Sequence, residues 1–201
     1  MKEKDINARI INFWNWFESI SDDLFKNVKR SDLLDQIDTR VSFLGRLDWE
    51  IGPLDESNYY FAISPNLDDK KFQLTQEIVG YAPNCKGWKF FSSKPSKEWE
   101  GKWTMKNEKN EEIFIDTTDW KYVLYQFEDS TFAMDILIDK VDGDLNTCQL
   151  AVDIALIGYL GEEKFMNLIK DIKIITDLGN EQINRLTKLR NILKHIDDIS
   201  S

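Results

Sequence analysis

Apolar residues recur at intervals of three and four through the opening segment of the chain: Ile6, Ile10, Phe13, Trp14, Phe17, Ile20, Leu24 and Val28. That period lays them along one face of a helix of about six turns, with Trp16 at the margin of the stripe. A second stripe, Leu33, Leu34, Ile37, Val41 and Leu44, follows Ser31, a residue suited to capping a helix. Asp32, Asp35 and Asp38 face outward near its start, where the helix dipole favours acid, and Gly45 is the expected stop. The two helices are expected to form an antiparallel hairpin over 1–46.

The period then falls to two. Leu47–Ile51, closed by Gly52 and Pro53, and Asn58–Ser64, closed by Pro65, read as short strands, and Asp68 and Asp69 open a helix that stops before Pro83. Strand patterns return at Trp88–Ser92, Lys102–Lys106, Glu112–Asp116, Trp120–Phe127 and Thr131–Asp139. The last two form a hairpin around Glu128, Asp129 and Ser130, with Phe132, Met134, Ile136 and Ile138 on one face. Asp144 caps a helix that ends near Gly161, Glu162–Leu168 continues helically, Ile172–Thr176 is a last strand and Glu181–Ile196 a final amphipathic helix.

These elements predict an α+β fold. Its expected centre is a mainly antiparallel sheet of five to seven strands between Leu47 and Thr176, with the helices from Asp68 and Asp144 packed on one face. The helical hairpin (1–46) and a C-terminal helix (177–201) flank that middle part (47–176), and the whole reads as a single domain. No repeat, low-complexity tract or linker interrupts it.

Composition adds a sign. The 201 residues include 42% hydrophobic side chains, enough for a core, but 36 acidic against 26 basic residues leave a net charge of −10. The acidity is skewed: 14 Lys/Arg and 17 Asp/Glu in the first hundred residues, 12 and 19 in the rest. Such a potential repels phosphate backbones and anionic lipid, so nucleic acid and membrane surfaces are excluded as expected partners and a basic protein is favoured. The charged Met1–Arg9 segment does not read as a signal peptide, and no apolar run reaches the ~18 residues of a membrane span, which points to the cytoplasm.

Candidate chemistry is sparse. One histidine, His195, and two distant cysteines, Cys85 and Cys148, supply neither an imidazole-activated nucleophile nor a close zinc set, and no disulfide framework. The dinucleotide, P-loop, nucleophile-elbow and zincin motifs are missing, so no catalytic residue and no cofactor is expected. His195 reads as a favourable cation near a helix C-terminus. Asp142, Asp144, Asn146 and Asp153 mimic calcium-loop positions, but Thr147 stands where that loop needs glycine, and helix capping by Asp144 accounts for the same residues. Carboxylate pairs such as Asp48 with Glu50, or Asp116 with Asp119, arise freely among so many acids.

The least ordinary composition is Gly87–Trp103, where three tryptophans alternate with lysines. Trp88, Lys97, Trp99 and Trp103 are the candidate protein-binding residues, because tryptophan is enriched at interface hot spots. Trp49, Glu50, Tyr60 and Trp120 are the candidate lining of a cleft between the sheet and the N-terminal helices, with Trp88 beside them.

Several segments carry a resemblance: Phe13-Trp-Asn-Trp-Phe17, Trp49-Glu-Ile-Gly-Pro53, Ile63-Ser-Pro65, Leu74-Thr-Gln-Glu-Ile-Val79 with Ala82-Pro83, and Gly87-Trp-Lys-Phe90 with Lys94-Pro-Ser-Lys-Glu-Trp99. Together they resemble a family of uncharacterised bacterial cytoplasmic proteins over roughly the first three quarters of the chain. The resemblance implies a bacterial, soluble, single-domain protein and brings no activity, cofactor or site residue with it. Scarce chemistry beside abundant acid and aromatics leads to one expectation: a non-enzymatic protein-binding protein, in its sharpest form a toxin-neutralising, immunity-like one. The competing expectation is a small-ligand protein or enzyme using the cleft.

Overall fold

A computed structural model of the chain describes residues 3–139, 141–175 and 184–199. Its elements, in chain order, are α1 (Glu3–Lys26), α2 (Ser31–Gly45), β1 (Asp48–Pro53), β2 (Tyr59–Ser64), α3 (Asp69–Gly80), β3 (Trp88–Phe91), β4 (Lys102–Lys106), β5 (Glu112–Asp116), β6 (Lys121–Gln126), β7 (Phe132–Leu137), α4 (Leu145–Leu160), α5 (Glu162–Leu168), β8 (Ile169–Ile175), β9 (Thr187–Lys188), a 3-10 turn (Leu189–Asn191) and α6 (Ile192–Ile199). The chain divides into two compact units, Met1–Lys94 and Pro95–Ser201, where the sequence pattern reads as one domain.

In the first unit the α1 stripe buries Ile10, Phe13, Trp14, Phe17 and Leu24 against Leu33, Ile37, Val41 and Leu44 of α2 and against Phe61 and Ile63 of β2. Aromatic rings fill the centre. Phe17 stacks on Phe61 with centroids 5.0 Å apart, and the edges of Trp88 and Phe90 meet it at 5.5 and 5.4 Å. The indole donors are satisfied by backbone: Trp14 Nε1 donates to Ile78 O at 2.6 Å and Trp88 Nε1 to Ser21 O at 3.1 Å. β1 and β2 pair antiparallel, β2 and β3 parallel, with α3 in the crossover between them. Asp68 caps α3, accepting from Lys70 N at 2.9 Å. Ser31, by contrast, is the first helical residue of α2 and not its cap; Arg30 precedes the helix without a side-chain cap, and its guanidinium grips Asp32 at 2.7 Å instead.

The second unit holds a two-stranded sheet, β4-β5, and a four-stranded sheet in the order β8-β7-β6-β9. Phe132, Met134 and Ile136 of β7 turn inward and share a core with Ala151, Val152, Ala155 and Leu156 of α4. Asp144 caps α4, its Oδ1 accepting from Thr147 N at 2.8 Å.

The fold is α+β, but the expectation of one sheet of five to seven strands is corrected: among the described residues the strands form sheets of three, two and four. Nor do the helices from Asp68 and Asp144 share one sheet face, because α3 and α4 belong to different units. The expected C-terminal helix over Glu181–Ile196 is also corrected in its described part. Thr187 and Lys188 pair with Tyr122 and Lys121 to cover the outer edge of β6, Leu189 N donates to Trp120 O at 3.0 Å, and helix begins only at Ile192. An open strand edge overrides helical propensity there. Thr176 and residues 181–183 lie outside the described residues.

Candidate functional site

The Gly87–Trp103 segment is split by the two units. Trp88 is 8% exposed in the core of the first, so it is not a surface residue. Lys97, Trp99 and Trp103 belong to the second. Gly101, at φ +70°, lets the chain turn tightly between the tryptophans; a Cβ there would stand 2.1 Å from Tyr159 Oη and 2.2 Å from Thr117 Oγ1. The indoles stack with centroids 5.4 Å apart, Trp99 packs on Tyr159 at 5.6 Å, and Lys97 Nζ lies 5.8 Å from the Trp99 ring centroid. Gly158 of α4 makes room for Trp99. Both tryptophans are half-buried, so they brace the unit more than they present a free aromatic surface.

The four cleft candidates do not converge. Trp49 and Glu50 alternate across β1: Trp49 Nε1 donates to Asp38 Oδ1 at 3.2 Å on the α2 side, while Glu50 accepts the Tyr60 hydroxyl on the other. Burial first, and then that carboxylate, push the Tyr60 phenol well above its ordinary pKa. Trp120, 1% exposed, is in the core of the second unit. The carboxylate pairs are engaged as well: Asp48 with Lys94 at 2.7 Å, Asp116 with Lys102 at 3.0 Å, and Asp119 with Lys188 at 3.8 Å. His195 sits within α6 and not near its end, with Nδ1 2.8 Å from the Tyr122 hydroxyl. Among the described residues no grouping of three or more His, Cys, Asp or Glu is arranged to hold a metal ion, and no helix is long and apolar enough to cross a membrane.

A different surface, which residue type and spacing do not single out, combines charge and apolar area. The β4–β5 turn and the loop before α4 line an open cleft of about 750 Å³ with Glu108, Glu111, Glu112, Asp142 and Asp144, and among the described residues Lys109 is the one basic side chain in this lining. Glu108 Oε2 ties the two walls together, accepting from Asp144 N and from Thr147 Oγ1, both at 3.1 Å. Backbone N–H groups, its own first and then that of Asp144, hold the Glu108 carboxyl below its usual pKa, and the Thr147 N–H does the same for Asp144. Both stay ionised at neutral pH. Leu145, next to Asp144, is 73% exposed, and Phe114, two residues along β5 from Glu112, is 66% exposed. A signal for part of this surface does exist in Glu112-Ile-Phe-Ile-Asp116: with Ile113 and Ile115 inward, period two forces Phe114 out.

No protein-family model, curated protein or solved structure matches the chain.

Proposed function

We propose that the chain is a non-enzymatic protein-binding protein whose cleft between the β4–β5 turn and the N-terminus of α4 receives a basic, partly apolar segment of a partner. The observation that carries this reading is the row of carboxylates lining the cleft, Glu108, Glu111, Glu112, Asp142 and Asp144; Leu145, next to Asp144 in sequence, and Phe114, two residues from Glu112, add exposed apolar area. Large apolar exposure is uncommon without a use, and on the outward face of β4–β5 Phe114 stands opposite Thr104 between the cross-strand pairs Lys106–Glu112 and Lys102–Asp116. Charge supports the choice of partner. Residues 95–201 contain 13 basic and 21 acidic residues, so the unit that holds the cleft carries most of the chain's acidity. Its field steers basic proteins toward it and turns polyanions away. Neutralisation of a basic toxin in a bacterial cytoplasm is the sharpest form of the reading.

The test is affinity capture from the native host with the wild-type chain and with the Glu112→Lys, Phe114→Ser double variant. One stoichiometric basic partner, held by the wild type and lost by the variant, is the expected result. Equal capture by both, or recovery of no stoichiometric partner, would overturn the proposal.

A further inference from the structure

We infer that the groove between α1 and α2 is a binding site for a small apolar carboxylate, of the chemical class of a medium-chain fatty acid. This site is separate from the acidic cleft and lies wholly within the first unit. The groove has a volume of about 490 Å³, within the range of small-molecule sites. Its floor is Phe13 and Leu44, both buried, and one wall is Phe43, a ring left 70% exposed. An alkyl or aryl body laid on this surface would remove apolar area from water on both partners.

The polar lining supplies the other half of the argument. Arg40 brings a guanidinium group to a lining that also contains Arg9 and Asp35. Arg9 Nη1 donates to Phe43 O at 3.4 Å, and the Arg40 guanidinium lies 4.3 Å from the Trp16 ring centroid, a cation–π contact. Among the described residues no carboxylate pairs with Arg40. A planar fork fits a carboxylate with two parallel hydrogen bonds. The apolar floor and the opposing Asp35 select against a polyanion such as a nucleotide, which the overall charge also repels. One negative end placed at Arg40, away from Asp35, on an apolar body placed against Phe43 matches this lining.

The experiment is calorimetric titration of the full chain at neutral pH with octanoate, 1-octanol and acetate. Octanoate is expected to bind one site per chain, with 1-octanol and acetate each at least about tenfold weaker, since one lacks the charge and the other the body. Arg40→Gln should weaken octanoate about tenfold, the scale of losing hydrogen bonds to a charged group. Phe43→Ala should weaken it too, and because Phe43 is exposed that variant should melt at the wild-type temperature. Octanoate should also shift amide resonances of residues 36–44. Absence of saturable octanoate binding, equal affinity for octanoate and 1-octanol, or affinity unchanged in both variants would overturn the assignment.

Discussion

Tyr60 and Tyr122 carry their hydroxyls into the interior, one onto Glu50 and the other against His195. Burial raises both phenols above the ordinary value, Glu50 adding to the effect at Tyr60. The sign follows: each contributes stability that is complete below the unfolded pKa of about 10 and is lost as pH rises above it. Spectrophotometric titration should therefore leave Tyr60 and Tyr122 protonated until the chain unfolds in alkali; ionisation of both near the ordinary value in a folded chain would contradict the burial. A second residue-scale expectation concerns Trp99. Trp99→Ala should cost about 3 kcal/mol in a denaturant titration, at the low end for emptying an aromatic site. The low end applies because the Trp99 Nε1 is buried with no acceptor among the described residues, so the substitution also removes a donor without a partner there. Trp99 shows what a sequence can yield at this scale. Three tryptophans among lysines mark the segment as unusual, but whether an indole lies against solvent or against Gly158 depends on a helix about sixty residues away in the chain.

At the scale of elements, periodicity locates almost every helix and strand, because the 3.6 and 2.0 repeats are written in neighbouring residues. Pairing is not local. Lys102–Lys106 and Glu112–Asp116 are legible as strands, but nothing in them announces that they pair only with each other and stand apart from β6–β9. The two-residue β9 is hidden for the same reason, since only the open edge of β6 makes Thr187 and Lys188 extended. A two-stranded sheet is marginal alone in water, so β4–β5 must be held by Trp103, Met105, Ile113 and Ile115 packed on the second unit's core. Ile115→Ala, at 2% exposure, should destabilise by about 2–5 kcal/mol and speed amide exchange through 102–116 before the rest of the unit. Phe114→Ser, on the outward face of the same strand, should change stability by less than about 0.5 kcal/mol. Gly158→Ala tests α4 from the other side: a Cβ would fall 2.2 Å from Trp99 Cζ2, so the helix propensity gain of about 1 kcal/mol should be exceeded by overpacking.

For the whole molecule, charge is the property most legible in sequence and the one that most constrains function. A net −10, concentrated after Lys94, favours basic partners on composition alone. What composition withholds is location. The carboxylates at 108–112 and 142–144 are separated by about thirty residues of unrelated pattern, and the contacts of Glu108 with Asp144 and Thr147 tie them into one cleft. The candidate tryptophans and the cleft residues drawn from sequence rest on residue type alone, and packing puts Trp88 and Trp120 into cores while leaving Trp49, Glu50, Trp99 and Trp103 half-buried. If the acidic cleft is the docking surface, partner association should slow steeply as salt rises through the Debye regime, with a smaller effect on dissociation. The most direct measurement is an NMR titration of the labelled chain with a short peptide of alternating lysine and leucine. Shifts centred on residues 107–114 and 142–147, weakened by about 0.5 M salt and abolished by Glu112→Lys with Phe114→Ser, are predicted; shifts scattered over the acidic surface, or unchanged in that variant, would contradict the account.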